Sequence, residues 1–161
     1  MASLALMVRF SCVVLVDRRG RVLLQERDEH ARIAPEKWGF TGGHLEPGEE
    51  WLAGARRELE EETALRIKPE ALTLVGEFDV DHPETGSTDR LALYAAAVDL
   101  ADDDVECHEG RQIVFVDPDT ARDLPLSDSA RMTLLPFLDS PLYRDLAAAS
   151  APIADVERVG A

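Results

Sequence analysis

The stretch GGHLEPGEEWLAGARRELEEETAL, residues 42–65, decides how the rest of the chain is interpreted. It predicts a glycine-rich loop leading into a helix, because Gly48 closes the loop and apolar residues then recur at helical spacing. We expect Glu49 and Glu50 in the first helical turn, where the positive end of the helix dipole favours acidic side chains. The helix should bury one stripe of side chains, formed by Trp51, Leu52, Ala55 and Leu59.

The same helix carries a dense set of glutamates. Glu58, Glu61 and Glu62 are spaced i, i+3 and i+4, so their carboxylates share one face. Like charges this close repel each other, and a pair between Arg56 and Glu60 would offset part of the repulsion, by about 0.3–0.5 kcal/mol. Two explanations stay open: a solvated acidic face, or a site for a hard divalent cation, which takes oxygen ligands.

The spacing of this stretch resembles a known signature. From Gly43 the order is Gly, five residues, Glu49, seven residues, and then RELEEETAL. This resembles the Nudix hydrolase signature, Gx5Ex7REUxEExGU, in which U is a bulky aliphatic residue. Every defining position matches except Ala64, where the signature has glycine, so the resemblance is far more specific than a lone glycine motif. Alanine there predicts either a longer helix or a strained left-handed cap that costs about 1 kcal/mol.

Length and composition favour one globular domain. We expect a single Nudix domain over residues 1–140 and an alanine-rich tail over residues 141–161 of this 161-residue chain. The net charge of −15 disfavours a broad nucleic-acid surface, which needs a basic stripe. No apolar stretch is long enough to span a membrane. Cys12 and Cys107 form no CxxC motif, which argues against a disulfide framework or a zinc site and fits a cytoplasmic location.

Strands alternate with two principal helices along the chain, which predicts a mixed sheet between helical layers. The resemblance implies the same α/β class, the Nudix α/β/α sandwich with a mixed β-sheet. The tail is expected to be a loosely docked helix or a flexible end. Strands are predicted within residues 4–16, 22–24, 38–40, 66–67, 72–75, 91–98 and 112–116, and loops over 25–37, 77–89 and 101–109. A short helix or turn is predicted over 118–124, and a helix over 127–137.

The resemblance also implies a reaction and a cofactor. Nudix enzymes hydrolyse a nucleoside diphosphate linked to another moiety, and a divalent metal neutralises the pyrophosphate and makes hydroxide available near neutral pH. Mg²⁺ is the expected ion, with Mn²⁺ as a substitute, because the ligands are all oxygen. Arg57 and Glu49 match the structural pair that orients the catalytic helix. The metal ligands carried over are Glu58, Glu61, Glu62 and the carbonyl oxygen of Gly42.

Further candidates for the site each have a plainer alternative, except Gly43, whose loop N–H groups can meet a phosphate ahead of a helix. Glu109, in HEGRQIVF, resembles a glutamate that joins the metal or acts as a base in MutT-type members, but it also belongs to an acidic loop. Arg27 resembles a phosphate-contacting position, or it is a surface arginine. Asp128 resembles a base-reading position, although Ser127 and Asp128 also suit the cap of the last helix.

Three functions stay open from the sequence. We favour a metal-dependent pyrophosphohydrolase of nucleoside triphosphates, including oxidised ones. The second is a pyrophosphatase of ADP-ribose or another nucleotide sugar, with the loop at 77–89 holding the sugar. The third is a non-catalytic Nudix-fold regulator that binds nucleotides, although such domains usually lose glutamates of the REUxEE segment that are all present here. Nudix domains often pair, so a homodimer is expected as well.

Overall fold

The central strand of the sheet is β1 (Arg9–Val16), which lies within the predicted range. The computed structural model describes residues 7–82 and 86–160, so the beginning of that range lies outside the described residues. The chain then turns into β2 (Val22–Glu26), and the two strands form an antiparallel hairpin. Residues 13–16 and 22–24 are almost fully buried, because apolar layers cover both faces of the sheet here.

Both edges of β1 are paired. On one edge all its residues run parallel to β7 (Ser87–Ala97), which pairs antiparallel with the outer strand β6 (Thr73–His82). The other edge is shared by β2 near the turn and by β4 (Thr41–His44) further along. β1 and β2 therefore diverge, which opens the sheet beside the glycine loop. The remaining strands next to β2 are β3 (Trp38–Gly39) and β8 (Gln112–Val116).

The β6–β7 hairpin shows that the loop predicted over residues 77–89 is wrong, because strand β6 continues to His82 and β7 begins at Ser87. The sequence predicts a loop here because polar residues are frequent in the segment, but in the structure they occupy only one face of the hairpin. Glu77 and Asp81 are exposed, whereas Val80 between them is buried. This alternation is the pattern of a strand with one solvent-exposed face.

Helix α1 (Trp51–Thr63) begins later than predicted. Glu50 is its N-cap residue, with extended backbone, so the expectation that Glu49 and Glu50 lie in the first turn is wrong. Glu49 instead closes the preceding turn, where its carboxylate accepts a hydrogen bond from the Glu46 N–H at 3.0 Å.

The buried face of α1 is narrower than the predicted stripe. Ala55 and Leu59 are fully buried against the sheet, whereas Trp51 and Leu52 are half-buried. The helix ends at Ala64, which takes the left-handed conformation with φ 61° and ψ 21°. The strained cap, one of the two alternatives for this alanine, is therefore present.

The predicted Arg56–Glu60 pair is wrong. After the cap, β5 (Leu65–Ile67) runs back beside the helix and brings other partners within reach. Arg56 Nε donates to the carbonyl oxygen of Ile67 at 2.7 Å, and Glu60 instead pairs with Arg66.

The opposite face of the sheet is covered by α3 (Asp128–Leu138), which confirms the α/β/α class. Ser127 caps this helix by accepting a hydrogen bond from the Ala130 N–H at 3.3 Å, as predicted. The last residues contact the body through hydrogen bonds from Tyr143 to Gly20 and from the Ala154 N–H to Ala97, and strand β9 (Val156–Arg158) pairs with β5. The other elements are α2 (Pro118–Asp123) and α4 (Pro141–Ala147). Within residues 7–82 and 86–160, no helix has the length and apolar character needed to cross a bilayer.

We predict that Gly42→Ala destabilises the protein by more than about 3 kcal/mol. Its Cβ would lie 2.4 Å from the carbonyl oxygen of Ser11 and 2.7 Å from Cα of Cys12, so β4 would have to leave β1. Gly48→Ala is the matched control, because that glycine also has positive φ but no neighbour within 4 Å. The control should cost only about 1 kcal/mol. Urea unfolding measures both, and equal losses would contradict the close pairing of β4 with β1.

Candidate active site

The site is built where the glycine loop meets the glutamate helix. The Gly42 N–H donates to Oε2 of Glu62 at 3.2 Å. A Cβ on Gly43 would lie 2.7 Å from the carboxyl carbon of Glu58, a distance at which the glutamate would have to shift. The paired glycines therefore let the backbone of β4 lie directly against two carboxyl groups of α1.

The loop before β8 brings a third carboxyl group to the same place. The His108 N–H donates to the carbonyl oxygen of Glu62 at 2.9 Å, which anchors the loop to the end of α1. From the other side, Gln25 Nε2 donates to the carbonyl oxygen of Glu109 at 3.0 Å. The carboxyl group of Glu109 then lies close enough to that of Glu62 to raise the pKa of Glu62. The predicted neighbourhood of Glu62 and Glu109 is thus present, although 47 residues of sequence separate them.

Burial and mutual repulsion keep protons on this cluster. Glu62 is only 4% exposed, and this burial, together with Glu109 and Glu58, raises its pKa to about 9. Burial also raises the pKa of Glu58, although the hydrogen bond from Arg57 opposes the rise. At neutral pH the folded protein therefore holds a proton that a glutamate in water would have released.

Arg57 connects the loop to the helix. Its guanidinium group makes a bidentate pair with Glu49, with Nε–Oε2 at 2.8 Å and Nη2–Oε1 at 3.0 Å. This pair lowers the pKa of Glu49 to about 2. The third nitrogen, Nη1, donates to Glu58 at 3.0 Å and to Glu61 at 3.3 Å. The predicted Arg57–Glu49 pair is present, and it also neutralises part of the charge on two predicted ligands.

A cleft of about 360 Å³ runs beside these carboxyl groups, a size that is common for ligand sites. Gly42, Gly43, Glu58 and Glu109 line one end of it. A larger cleft of about 450 Å³ lies between β6 and the C-terminal residues, but it contains none of the predicted site residues.

Arg27 also lines the first cleft, and it lacks a partner for one nitrogen. Among the side-chain nitrogen and oxygen atoms of residues 7–82 and 86–160, its Nε is the buried one without a hydrogen bond. Leaving such a group unpaired costs about 1–3 kcal/mol. An anionic group in the cleft would satisfy it, which favours the phosphate-binding alternative over a plain surface arginine.

Five predicted residues lie outside the cleft lining, and two of them, Arg57 and Glu49, form the pair described above. Glu62 is buried behind Gly42, and the side chain of Glu61 is 58% exposed. Asp128 lies in the exposed first turn of α3, whereas its neighbours Ser127 and Ser129 line the cleft. The structure therefore places Asp128 in the first turn of α3, outside the cleft.

The oxygen ligands suit a hard divalent cation, but they are held by other partners. In the part of the chain that the structure describes, no three Asp, Glu, His or Cys side chains converge as a ready metal site. Arg57 binds Glu58 and Glu61, and the Gly42 N–H binds Glu62. A cation at this position would exchange those contacts for oxygen ligation by the carboxyl groups and the Gly42 carbonyl.

Sequence reasoning missed the far end of the cleft. His82 and Asp89 line it and contact each other, with Nε2 of the histidine 2.6 Å from Oδ2 of the aspartate. Both lie in residues 77–89, for which the sequence predicts a loop. The alternation around Val80 was the signal that could have placed them on one face of a hairpin. Phe10 and His44, whose rings lie 4.3 Å apart, line the same cleft and become neighbours only through the pairing of β1 with β4.

The fold and the glutamate helix together define a Nudix hydrolase domain. The family model for the NUDIX domain matches residues 5–136, and the chain belongs to this family. The MutT protein from Methanosarcina mazei Go1 has a similar fold, with a TM-score of 0.71 at 20% identity, covering 84% of this chain and 96% of that one.

Two curated relatives are similar in sequence. One is the CTP pyrophosphohydrolase of Escherichia coli, 29% identical over 113 residues, which cover 70% of this chain and 78% of the relative. The other is the m7GpppN-mRNA hydrolase NUDT17 of Xenopus laevis, 38% identical over 63 residues. That match covers 39% of this chain but only 21% of the relative, so the similarity is confined to a fraction of the longer protein.

We predict that Glu62→Gln stabilises the metal-free protein at pH 8 but not at pH 4. A glutamate in the unfolded chain has a pKa of about 4.3, whereas that of Glu62 in the folded protein is about 9. Folding therefore takes up a proton between these values, and stability is lost as the pH rises towards 9. Glutamine takes up no proton, so the variant should gain on the order of 2 kcal/mol at pH 8, where burial is relieved in part by water.

Urea unfolding with a chelator at both pH values tests this expectation. Glu60→Gln is the matched control, because Glu60 lies on the same helix but pairs with Arg66 at the surface. An equal effect of Glu62→Gln at pH 4 and pH 8 would contradict the raised pKa.

Proposed function

We propose that this chain is a divalent-metal-dependent pyrophosphohydrolase that cleaves a phosphoanhydride of nucleoside triphosphates. One observation carries the proposal: the buried carboxyl group of Glu62 lies together with those of Glu58 and Glu109 beside a glycine backbone. Such crowding destabilises the folded protein. A solvated acidic face would avoid this cost, because its carboxyl groups would point into water. The cost is understandable if the cluster binds a cation during function.

Mg²⁺ is the proposed ion, and Mn²⁺ is a proposed substitute. The carboxyl groups of Glu58, Glu61, Glu62 and Glu109 and the carbonyl oxygen of Gly42 would hold it. When bound, the ion supplies charge neutralisation for the pyrophosphate and lowers the pKa of its water.

The chain's own residues bind the substrate and handle the proton. The unpaired Nε of Arg27 is proposed to hold a phosphate oxygen, since it is a buried donor without an acceptor. The loop N–H at Gly43 is proposed as a second phosphate contact. The glutamate cluster beside the cleft is proposed to supply the carboxylate that accepts a proton from the attacking water. Arg57 and Glu49 keep the helix and loop in register during this exchange.

Two observations favour triphosphates over nucleotide sugars. The Escherichia coli relative named as a CTP pyrophosphohydrolase matches this chain over 78% of its own length, which is more than the mRNA-cap hydrolase does. The nucleotide-sugar alternative would use residues 77–89, but the described part of this segment, residues 77–82 and 87–89, lies in the paired strands β6 and β7. All glutamates of the signature are present, which disfavours the non-catalytic alternative.

The test compares the hydrolysis of four nucleoside triphosphates, oxidised dGTP, ADP-ribose and a nucleotide sugar under one Mg²⁺ condition. We expect triphosphates to have the highest kcat/KM and Glu62→Gln to lower kcat by about a hundredfold or more. Glu60→Gln should stay within about twofold of the unsubstituted protein, because Glu60 pairs with Arg66 and faces away from the cleft.

Two outcomes would contradict the proposal. Equal losses from Glu62→Gln and Glu60→Gln would show that the helix acts only as a diffuse acidic surface. A nucleotide sugar preferred by tenfold in kcat/KM, equivalent to about 1.4 kcal/mol of transition-state binding, would overturn the choice of substrate.

A further inference from the structure

One face of the sheet carries the cleft across several strands. Phe10 on β1 lies opposite His44 on β4 and opposite Leu91 on β7, and Leu91 lies opposite Phe78 on β6. Neighbouring strands are about 4.8 Å apart, so the three steps from β4 to β6 span roughly 14 Å. The cleft lined by Gly42 at one end and by β6 at the other therefore has two chemically distinct ends.

The far end holds a polar pair in an apolar setting. Side chains alternate along a strand, so Val80 and His82 lie on the cleft face of β6, and Asp89 and Leu91 on that of β7. The side chain of Asp89 is only 11% exposed, and its Oδ2 lies 2.6 Å from Nε2 of His82. A carboxylate this buried is costly unless it is hydrogen-bonded, so its position on the cleft wall is informative.

Between the two ends lies an aromatic surface. The rings of Phe10 and His44 are 4.3 Å apart and tilted by 42°, and both line the cleft. Planar side chains like these are surfaces on which a nucleobase can stack. A nucleotide whose phosphates lie at the carboxyl cluster would thus pass an aromatic wall before its base edge meets the His82–Asp89 pair.

We infer that His82 and Asp89 select nucleotides whose base carries an exocyclic amino group. The histidine N–H donates to Oδ2, and the carboxylate accepts a further N–H from the base at the cleft wall. A base with a carbonyl oxygen at that position would face the carboxylate acceptor to acceptor and leave both groups unpaired. The inference rests on the proposed function, because it places the phosphates at the glutamate end. At three strand spacings from the glutamates, the pair determines specificity and does not handle the reacting water.

The experiment uses two matched substrate pairs, CTP with UTP and GTP with ITP. The members of the second pair differ only by the 2-amino group, and those of the first differ by amino against carbonyl at one position. We expect the full chain to prefer the amino member by about tenfold or more in kcat/KM in at least one pair. Asp89→Asn and His82→Gln should each reduce that ratio to below about threefold, with the change mainly in KM.

The control variant is Asp81→Asn. Asp81 lies on the same hairpin but is exposed on the other face, where it accepts a hydrogen bond from Thr88 at 2.8 Å. This variant should keep the full amino preference. Should Asp89→Asn fail to fold, His82→Gln measures the same ratio with the carboxylate in place.

The outcomes separate the inference from the proposed function. An unchanged amino preference in folded Asp89→Asn and His82→Gln overturns the inference and leaves the hydrolase intact. If the unsubstituted chain hydrolyses none of the four nucleotides, the proposed function fails, and calorimetric binding of the same nucleotides still tests the pair. Amino-selective binding that Asp89→Asn abolishes then supports the inference, and equal binding of all four overturns it.

Discussion

The carboxyl group of Glu62 is buried between the Gly42 N–H and the carboxyl group of Glu109. Several other parts of the structure are needed to hold it there. The loop must be glycine here, because a Cβ at Gly42 would overlap the backbone of β1. The β8 loop must be anchored against repulsion, and the hydrogen bonds from His108 and Gln25 anchor it on both sides. Without these contacts, the carboxyl group of Glu109 would move away from the buried carboxyl group of Glu62.

Charge neutralisation in this region comes from one arginine, although the chain has a net charge of −15. Arg57 binds Glu49 with two nitrogens and uses the third for Glu58 and Glu61. Because the guanidinium group is planar and rigid, this arrangement fixes the helix relative to the loop. Arg27 differs, since it lines the cleft and its buried Nε has no hydrogen-bond partner among the residues that the structure describes. The two arginines thus have separate tasks, one in holding the site together and the other in meeting an anion.

The local features of the fold could be predicted from the residue pattern, whereas a tertiary feature such as the approach of Glu109 to Glu62 was implied only by the family resemblance. The glutamate spacing predicted α1 and its acidic face, and the hydroxyl of Ser127 predicted the cap of α3, because these depend on residues a few positions apart. The β6–β7 hairpin could not be predicted in this way, since the sequence of a strand with one solvent-exposed face can contain as many polar residues as that of a loop. The pairs Phe10–His44 and His82–Asp89 depend on strand register, which the sequence does not display. The expected Mg²⁺, homodimer and cytoplasmic location stay predictions.

The most direct test of the cation site is the number of protons released when a divalent ion binds. Since Glu62 has a pKa of about 9 in the metal-free protein, it holds a proton at pH 7 that an ion must displace. Calorimetric titration with Mn²⁺ in two buffers of different ionisation enthalpy measures this number. We expect about one proton to leave for each ion bound, and none to leave from the Glu62→Gln variant. Ion binding without proton release, or the same release from Glu62→Gln, would contradict it.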